Sequence, residues 1–462
     1  MFDIKNLQTV YFLGIGGIGM SALARYYHSR GFHVLGYDHT ASHLTHDLET
    51  EGMQITYFDD VDALSALDID PVHTLVVRTP AVPEDTAIFT YFRNNGYTIL
   101  KRAEVLGMVT KQMKALCVAG THGKTTTSTI LAHLMYQSEI GTNAFLGGIS
   151  NNYGTNILLQ KDSNYVVVEA DEYDRSFHHL TPYMSVITAV DPDHLDVYGT
   201  PEAYRESFEY YTSLIQSALI IKKGLNITPR LKQGAKLYTY SATEEADFYA
   251  DNIRVDKGNI YFDFHTPTDS LLDLRLGVPV WVNIENSVAA MAVAWLNGVS
   301  KEELRLGLLS YSGVYRRFNI HVNNDRVAYV DDYAHHPTEI QTSIDSVRRL
   351  FPDRHFIGIF QPHLYTRTRD FADDFARVLS TLDEVVLLPI YPARELPILG
   401  VTSDMLLSKI NCLKKALVEK ADLVQFMQSK MLSETQPVVV MTIGAGDIDR
   451  LVPDLAKALS HK

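Results

Sequence analysis

The apolar run Ala115 to Ala119 opens directly into Gly120-Thr121-His122-Gly123-Lys124-Thr125-Thr126-Thr127, and a helix-period segment follows as far as Tyr136. A buried strand that turns through glycines into a helix belongs to a parallel α/β sheet, and the turn leaves backbone N–H groups free to cradle phosphate. Lys124 can then reach the β and γ phosphates of a nucleotide, and the Thr125 hydroxyl can bind Mg²⁺. The general phosphate-loop pattern has glycine where this chain has Val118, so the loop is a shortened variant.

A second glycine turn lies upstream. Gly14-Ile15-Gly16-Gly17-Ile18-Gly19 ends the strand-like run Thr9 to Leu13 and begins a helix, with Asp38 about twenty residues on, where a dinucleotide fold places its ribose-binding acid. Taken alone, this turn fits a nicotinamide cofactor, another diphosphate such as a nucleotide sugar, or a merely tight βα connection. A dehydrogenase built on it leaves the second loop unexplained.

Length and charge narrow the class. At 462 residues the chain suits two or three domains, and three are expected. With 41 Lys and Arg against 55 Asp and Glu, the net charge is −14, so no general positive field draws the chain to nucleic acid or anionic lipid, and bound phosphate must be held locally. The two cysteines, Cys117 and Cys412, form neither a disulfide framework nor a zinc pattern, which fits the cytoplasm. Four glycines interrupt the run Val10 to Ala24, which is not a signal-peptide core, and no run reaches the length of a membrane span.

Along the chain, Thr9 to Leu13, Val34 to Tyr37 and Thr74 to Arg78 read as strands of a first α/β unit. A second begins near Gly107 and includes strands at Tyr165 to Glu169 and Met184 to Thr188. Phe248 to Leu276 reads as an antiparallel flap punctuated by Lys257-Gly258 and Pro-Thr turns, and a helical pair follows, Ile284 to Leu296 and Glu302 to Leu309. Ser312-Gly313 is the expected hinge. Beyond it, strands at Val327 to Val330, Phe356 to Phe360, Glu384 to Leu388 and Val438 to Thr442 form a third α/β unit.

Polar clusters fall at the C-terminal ends of these strands, where open α/β sheets bind ligands. Glu169, with Asp171, Glu172 and Asp174 after it, offers the hard oxygen ligands that Mg²⁺ needs. Asp191-Pro192-Asp193-His194 ends the next strand. In the third unit, Asp331-Asp332-Tyr333-Ala334-His335-His336 and Gln361-Pro362-His363-Leu364-Tyr365-Thr366-Arg367-Thr368-Arg369 bring histidines and permanent cations to the sheet edge.

In order and spacing, GIGGIGMSALA, GTHGKTTT, VEADEYDRSF, DPDHLDVYGT, YRRF, DDYAHHPTEI and FQPHLYTRTRD resemble the Mur ligase family over essentially the whole chain. GIGGIGM followed by ALA, and His122 in the loop, look like the branch that adds L-alanine. The resemblance implies an ATP-dependent ligase of peptidoglycan biosynthesis, cytoplasmic, a monomer or weak homodimer, acting on UDP-N-acetylmuramate and L-alanine with ATP and two Mg²⁺ ions.

The fold it implies is α/β in three domains: an N-terminal Rossmann-like domain (1–107) for the nucleotide sugar, a central P-loop ATPase domain with a mixed sheet and a small antiparallel flap (108–313), and a C-terminal Rossmann-like domain (314–462) for the amino acid.

The family's roles carry over as follows. Gly14, Gly16, Gly17, Gly19 and Asp38 hold the UDP diphosphate side. Gly120, Thr121, His122, Gly123, Lys124, Thr125 and Thr126 hold the ATP phosphates, Asn283 and Asn286 the adenine, and Arg317 and Asp332 contact ATP as well. Thr125, Glu169 and His194 bind metal. Tyr333, His335, His363 and Arg367 line the alanine pocket, with Lys124, His194, His335 and Arg367 catalytic and either His335 or His363 taking the amine proton. Domain closure is expected to shield an acyl phosphate from water.

Three positions deserve note against the family pattern. Val282 replaces a histidine before Asn283, Leu364 replaces an arginine after His363, and no lysine lies between Pro201 and Leu219, which agrees with the alanine-adding branch. A related branch that joins a whole recycled peptide to the same sugar is the alternative within the family.

Overall fold

The computed structural model describes residues 6–65, 67, 69–256, 259–393 and 395–460. Contacts divide it into two compact units: Met1–Asn252 with Phe262–Arg275 and Glu285–Ser312, and Ile253–Tyr261 with Leu276–Ile284 and Gly313–Lys462.

The first sheet contains β1 (Thr9–Leu13), β2 (His33–Tyr37), β3 (Gln54–Thr56), β4 (Thr74–Arg78) and β5 (Thr98–Lys101) in the order β3-β2-β1-β4-β5, with every adjacent pair parallel. The order reverses at β1, whose five residues are all buried. The glycine turn therefore leaves the sheet at a topological switch point, where such sheets open a crevice.

The second sheet has ten strands: β6 (Lys114–Ala119), β7 (Asn143–Ser150), β8 (Thr155–Leu158), β9 (Tyr165–Ala170), β10 (Pro182–Ile187), β11 (Ala218–Lys222), β12 (Lys236–Ser241), β13 (Phe248–Asp256), β14 (Asn259–His265) and β15 (Ser270–Arg275). Their order is β15-β14-β13-β12-β11-β10-β6-β9-β7-β8. The segment expected as a flap attached to this domain supplies β13, β14 and β15, and Tyr240 of β12 pairs in parallel with Phe248 of β13, so these strands prolong the main sheet. Alternating polarity identifies them as strands, but it cannot say which edge they join. The Lys257-Gly258 turn lies outside the described residues.

The first two sheets share one compact unit because their helices and strands interpack. Tyr26 of helix Ile18–Ser29 meets Phe145 of β7 at a ring separation of 5.5 Å. Arg25 donates to Asn156 Oδ1 at 2.7 Å, and Asn156 Nδ2 donates to the Ile18 carbonyl at 2.6 Å. Buried residues of both sheets fall in a single hydrophobic cluster.

The third sheet, β16 (Asn319–Asn323), β17 (Val327–Asp332), β18 (His355–Phe360), β19 (Glu384–Leu387), β20 (Lys414–Leu417) and β21 (Val438–Ile443), has the order β16-β17-β21-β18-β19-β20. Only β16 runs antiparallel to its neighbour. β17 and β21 are buried throughout, as central strands covered on both faces must be.

Candidate active site

The phosphate loop is shaped by glycines at positive φ. At Gly120 (φ +135°) an added Cβ would lie 2.1 Å from Thr188 Oγ1, and at Gly123 (φ +80°) 3.0 Å from Asn286 Oδ1. Thr188, just after β10, donates to the His122 carbonyl at 2.5 Å, and Thr121 Oγ1 donates to the Asp191 carbonyl at 2.8 Å. These bonds tie the loop to the segment that carries His194. His194 itself stands at φ +51°, an uncommon conformation for a residue with a Cβ, with its ring edge-on to Tyr173 at 5.1 Å. His122 Nε2 is 3.9 Å from Asp191 Oδ2.

Lys124 begins the helix Lys124–Tyr136, and its Nζ donates to the Gly120 carbonyl at 2.7 Å and to Glu172 at 2.9 Å. Glu172 is 2% exposed; burial pushes its carboxyl up to about 7, while the Lys124 ammonium pulls it back. The pairing keeps Lys124 charged inside the loop. Thr127 Oγ1 donates to Asn286 Oδ1 at 3.1 Å, which brings one of the two expected adenine-side asparagines onto the phosphate-loop helix. Asn283, one turn earlier, donates to the Val278 carbonyl at 3.4 Å.

Thr125 and Glu169 converge. A Cβ on Gly147 of β7 would fall 1.9 Å from Glu169 Oε2 and 3.0 Å from Thr125 Oγ1, so a bare glycine keeps open the space these two oxygens share. A hydroxyl and a carboxylate oxygen facing one small gap beside a phosphate loop are hard donors of the kind Mg²⁺ takes. The neighbouring acids are spent elsewhere: Asp171 pairs with Arg102 at 3.1 Å and Asp174 with Lys101 at 2.8 Å.

At the first glycine turn, Gly14 takes φ +85°, and Gly16 N–H donates to Asp38 Oδ2 at 2.8 Å. Asp38 thus braces the turn itself. A Cβ at Gly19 would meet Arg102 Nη1 at 2.6 Å, which sets a guanidinium against the start of the helix Ile18–Ser29. In a chain of net charge −14, this is a local positive charge beside the turn, shared with Asp171. Gly17 caps that helix with no side-chain hydrogen bond.

The second unit gathers the remaining expected residues. Arg316 and Arg317 hold their guanidinium carbons 5.2 and 5.1 Å from the Tyr333 ring centre. Arg316, at φ +60° and buried, donates to the carbonyls of Gly444 and Gly446 and stands 3.6 Å from Asp331, so it is the structural member of the pair. Asp332 is buried, accepts from Ser343 Oγ and from Phe318 N–H, and burial pushes its carboxyl up to about 6.

His335 Nδ1 lies 3.0 Å from the Tyr333 carbonyl and 3.5 Å from Glu339 Oε2. Two acceptors fix the proton on Nδ1 and leave Nε2 with the lone pair. His363 has the opposite arrangement: its Nδ1 accepts from Arg367 Nη1 at 3.3 Å. The two rings are 6.2 Å apart, and burial holds the His335 imidazole below its ordinary range.

Sequence reasoning passed over Glu172 as a member of an acidic run and Gly147 altogether. The signals were there: an acid three residues beyond Glu169, and the glycine pair Gly147-Gly148 inside a strand, where glycine marks a close approach.

The chain matches the Mur ligase family catalytic domain over residues 9–114, the Mur ligase middle domain over 118–294, and the Mur ligase glutamate ligase domain over 316–446. The chain belongs to the Mur ligase family. It is 56% identical to the UDP-N-acetylmuramate--L-alanine ligase of Parabacteroides distasonis over 99% of this chain and 98% of that one. Its structure is similar to that of the UDP-N-acetylmuramate-alanine ligase of Thermotoga maritima, with TM-score 0.81 and 26% identity over 97% of this chain and 98% of that one. A murein peptide ligase from Psychrobacter arcticus shares the fold at TM-score 0.69 and 21% identity over 98% and 99%. As a Mur ligase the chain uses ATP, and its fold is the three-domain α/β fold of the family. No helix among the described residues is long and apolar enough to cross a membrane.

Proposed function

We infer that this Mur ligase joins L-alanine to the lactyl carboxylate of UDP-N-acetylmuramate, with ATP cleaved to ADP and phosphate, in peptidoglycan biosynthesis. The full-length identity to alanine-adding ligases carries the reading, and the site chemistry fits it. A carboxylate resists attack by an amine until one oxygen becomes a leaving group, so it first takes the γ-phosphoryl of ATP. Lys124, held charged by Glu172, offsets negative charge on that phosphoryl.

Thr125 and Glu169 would hold one Mg²⁺ and His194 would help to hold a second; bound there, Mg²⁺ supplies Lewis-acid neutralisation of the phosphates. Asn286 and Asn283 face the adenine, and Arg317 and Asp332 the ATP side of the second unit. Gly14, Gly16, Gly17 and Gly19, with Asp38 as brace and Arg102 as cation, take the diphosphate of the sugar. Domain boundaries near residues 107 and 313 follow these assignments.

The L-alanine amine attacks the acyl phosphate, and phosphate leaves from the tetrahedral intermediate. His335 accepts the amine proton on Nε2, because Tyr333 and Glu339 occupy its Nδ1 side, whereas Arg367 occupies the acceptor nitrogen of His363. Arg367 and His363 then remain for the amino-acid carboxylate, with Tyr333 as the wall. The chain works in the cytoplasm, as a monomer or weak homodimer.

The test is phosphate release from ATP and Mg²⁺ with UDP-N-acetylmuramate, comparing L-alanine, glycine, L-serine and the recycled tripeptide. Release that depends on both the sugar nucleotide and L-alanine is the expected result. Tripeptide dependence would move the chain to the recycling branch.

A further inference from the structure

Tyr391 and Glu395 have no role in the reaction described above, yet each is hydrogen-bonded to a chain neighbour of one of the two residues assigned to the amino-acid carboxylate. Tyr391 bridges His363 in parallel: its N–H donates to the Pro362 carbonyl at 2.8 Å, and its carbonyl accepts from Leu364 N–H at 3.0 Å. The Tyr391 and His363 rings stack at 5.8 Å with planes 20° apart. A Cβ on Gly446 would come within 2.8 Å of Tyr391 Cβ, so the tyrosine is wedged against the loop after β21.

Glu395 reaches to the short helix Tyr365–Asp370, which carries Arg367. Its Oε2 accepts from Thr366 N–H at 3.0 Å and its Oε1 from Thr366 Oγ1 at 2.5 Å. Burial pushes its carboxyl up, but the hydrogen bonds from Thr366 outweigh this and hold it below the usual carboxylate range. The helix needs this help. Its N-cap is Leu364, at φ +70°, which gives no side-chain cap, and a single six-residue turn has little stability of its own. A leucine in that backbone conformation is strained, and it persists only where neighbours over-determine it. Ala393, two residues after Tyr391, is also left-handed at φ +51°.

We propose that Glu395 is a positioning residue for amino-acid recognition: by anchoring the first turn of the helix Tyr365–Asp370 through Thr366, it fixes Arg367 beside His363 where the L-alanine carboxylate is bound. The proposal rests on the ligase reading above. It also gives Leu364 a place, since the backbone that strains this residue is the one that aims His363 and Arg367 together.

The experiment compares Glu395→Ala and Glu395→Gln with the wild-type chain in the phosphate-release assay, each substrate varied in turn, alongside thermal unfolding. Expected for Glu395→Ala is a rise of about tenfold or more in KM for L-alanine, as loss of a charge-assisted anchor implies. KM for ATP and for UDP-N-acetylmuramate should stay within about twofold. Glu395→Gln, which keeps one acceptor oxygen, should recover most of the loss. An unchanged KM for L-alanine in Glu395→Ala would overturn the proposal, and so would a uniform rise in all three KM values with a lowered unfolding temperature, the signature of general structural damage. A wild-type chain with no L-alanine-dependent release would overturn the ligase reading and this proposal together; an active wild type with a flat Glu395→Ala result removes the proposal alone.

Discussion

Lys124 Nζ stands 2.8 Å from Glu172 Oε2, and both side chains are largely withdrawn from solvent. Breaking such a pair from one side leaves an uncompensated charge in the interior, at a cost of about 3–5 kcal/mol. Glu172→Gln should therefore unfold at lower denaturant concentration. Nucleotide phosphate offers Lys124 a replacement anion, so Mg-ATP should raise the unfolding temperature of Glu172→Gln more than that of the wild type. Equal shifts in the two proteins would show that Glu172 does not hold this lysine.

Gly147→Ala places a methyl group where Glu169 and Thr125 approach each other. Displacing the carboxylate should lower kcat by about a hundredfold, the scale seen when one electrostatic contributor to a transition state is lost. The dependence on Mg²⁺ concentration should move to higher values. Full activity at ordinary Mg²⁺ would remove Glu169 from the metal site.

The assignment of His335 as base has a pH signature. Burial lowers its pKa from the ordinary 6.5, so the neutral, proton-accepting form persists above that range and is lost as pH falls through the lowered value. The acid limb of the kcat profile should lie below pH 6.5 and vanish in His335→Gln, with kcat down by about 10²–10⁴-fold. His363→Gln should instead raise KM for L-alanine and leave the limb in place.

A second histidine makes a prediction about stability. His133, buried in the phosphate-loop helix, lies 2.7 Å from Tyr153 OH and 2.9 Å from Ser310 Oγ, and burial lowers its pKa to about 4. The unfolded chain binds this proton near pH 6.5 and the folded chain only near 4, so the stability due to neutral His133 is complete above 6.5 and fades as pH falls toward 4. The loss amounts to up to about 3 kcal/mol. Denaturant unfolding at pH 7.5 and pH 4.5 should show a smaller difference in His133→Gln than in the wild type; equal differences would place the pH dependence elsewhere.

Much of this was legible in the sequence because both glycine turns follow runs buried on both faces, and such runs are unambiguous. β1 and β4 begin and end where apolar patterning put them, and β6 and the helix after it differ by one residue. What the sequence hid depends on distance in the chain. The extension of the central sheet through β13 required knowing that Tyr240 pairs with Phe248. The choice between His335 and His363 required the carbonyl of Tyr333 and the guanidinium of Arg367. Glu172 looked like its acidic neighbours until three of those acids separated, two to Lys101 and Arg102 and one to Lys124.

The most direct test of the central claim uses UDP-N-acetylmuramate labelled with ¹⁸O in its lactyl carboxylate, together with ATP, Mg²⁺ and L-alanine. The account predicts UDP-N-acetylmuramoyl-L-alanine as product and one ¹⁸O atom in each phosphate released, because the carboxylate oxygen leaves with the phosphoryl group. Unlabelled phosphate, or no amide product while ATP is consumed, would contradict it.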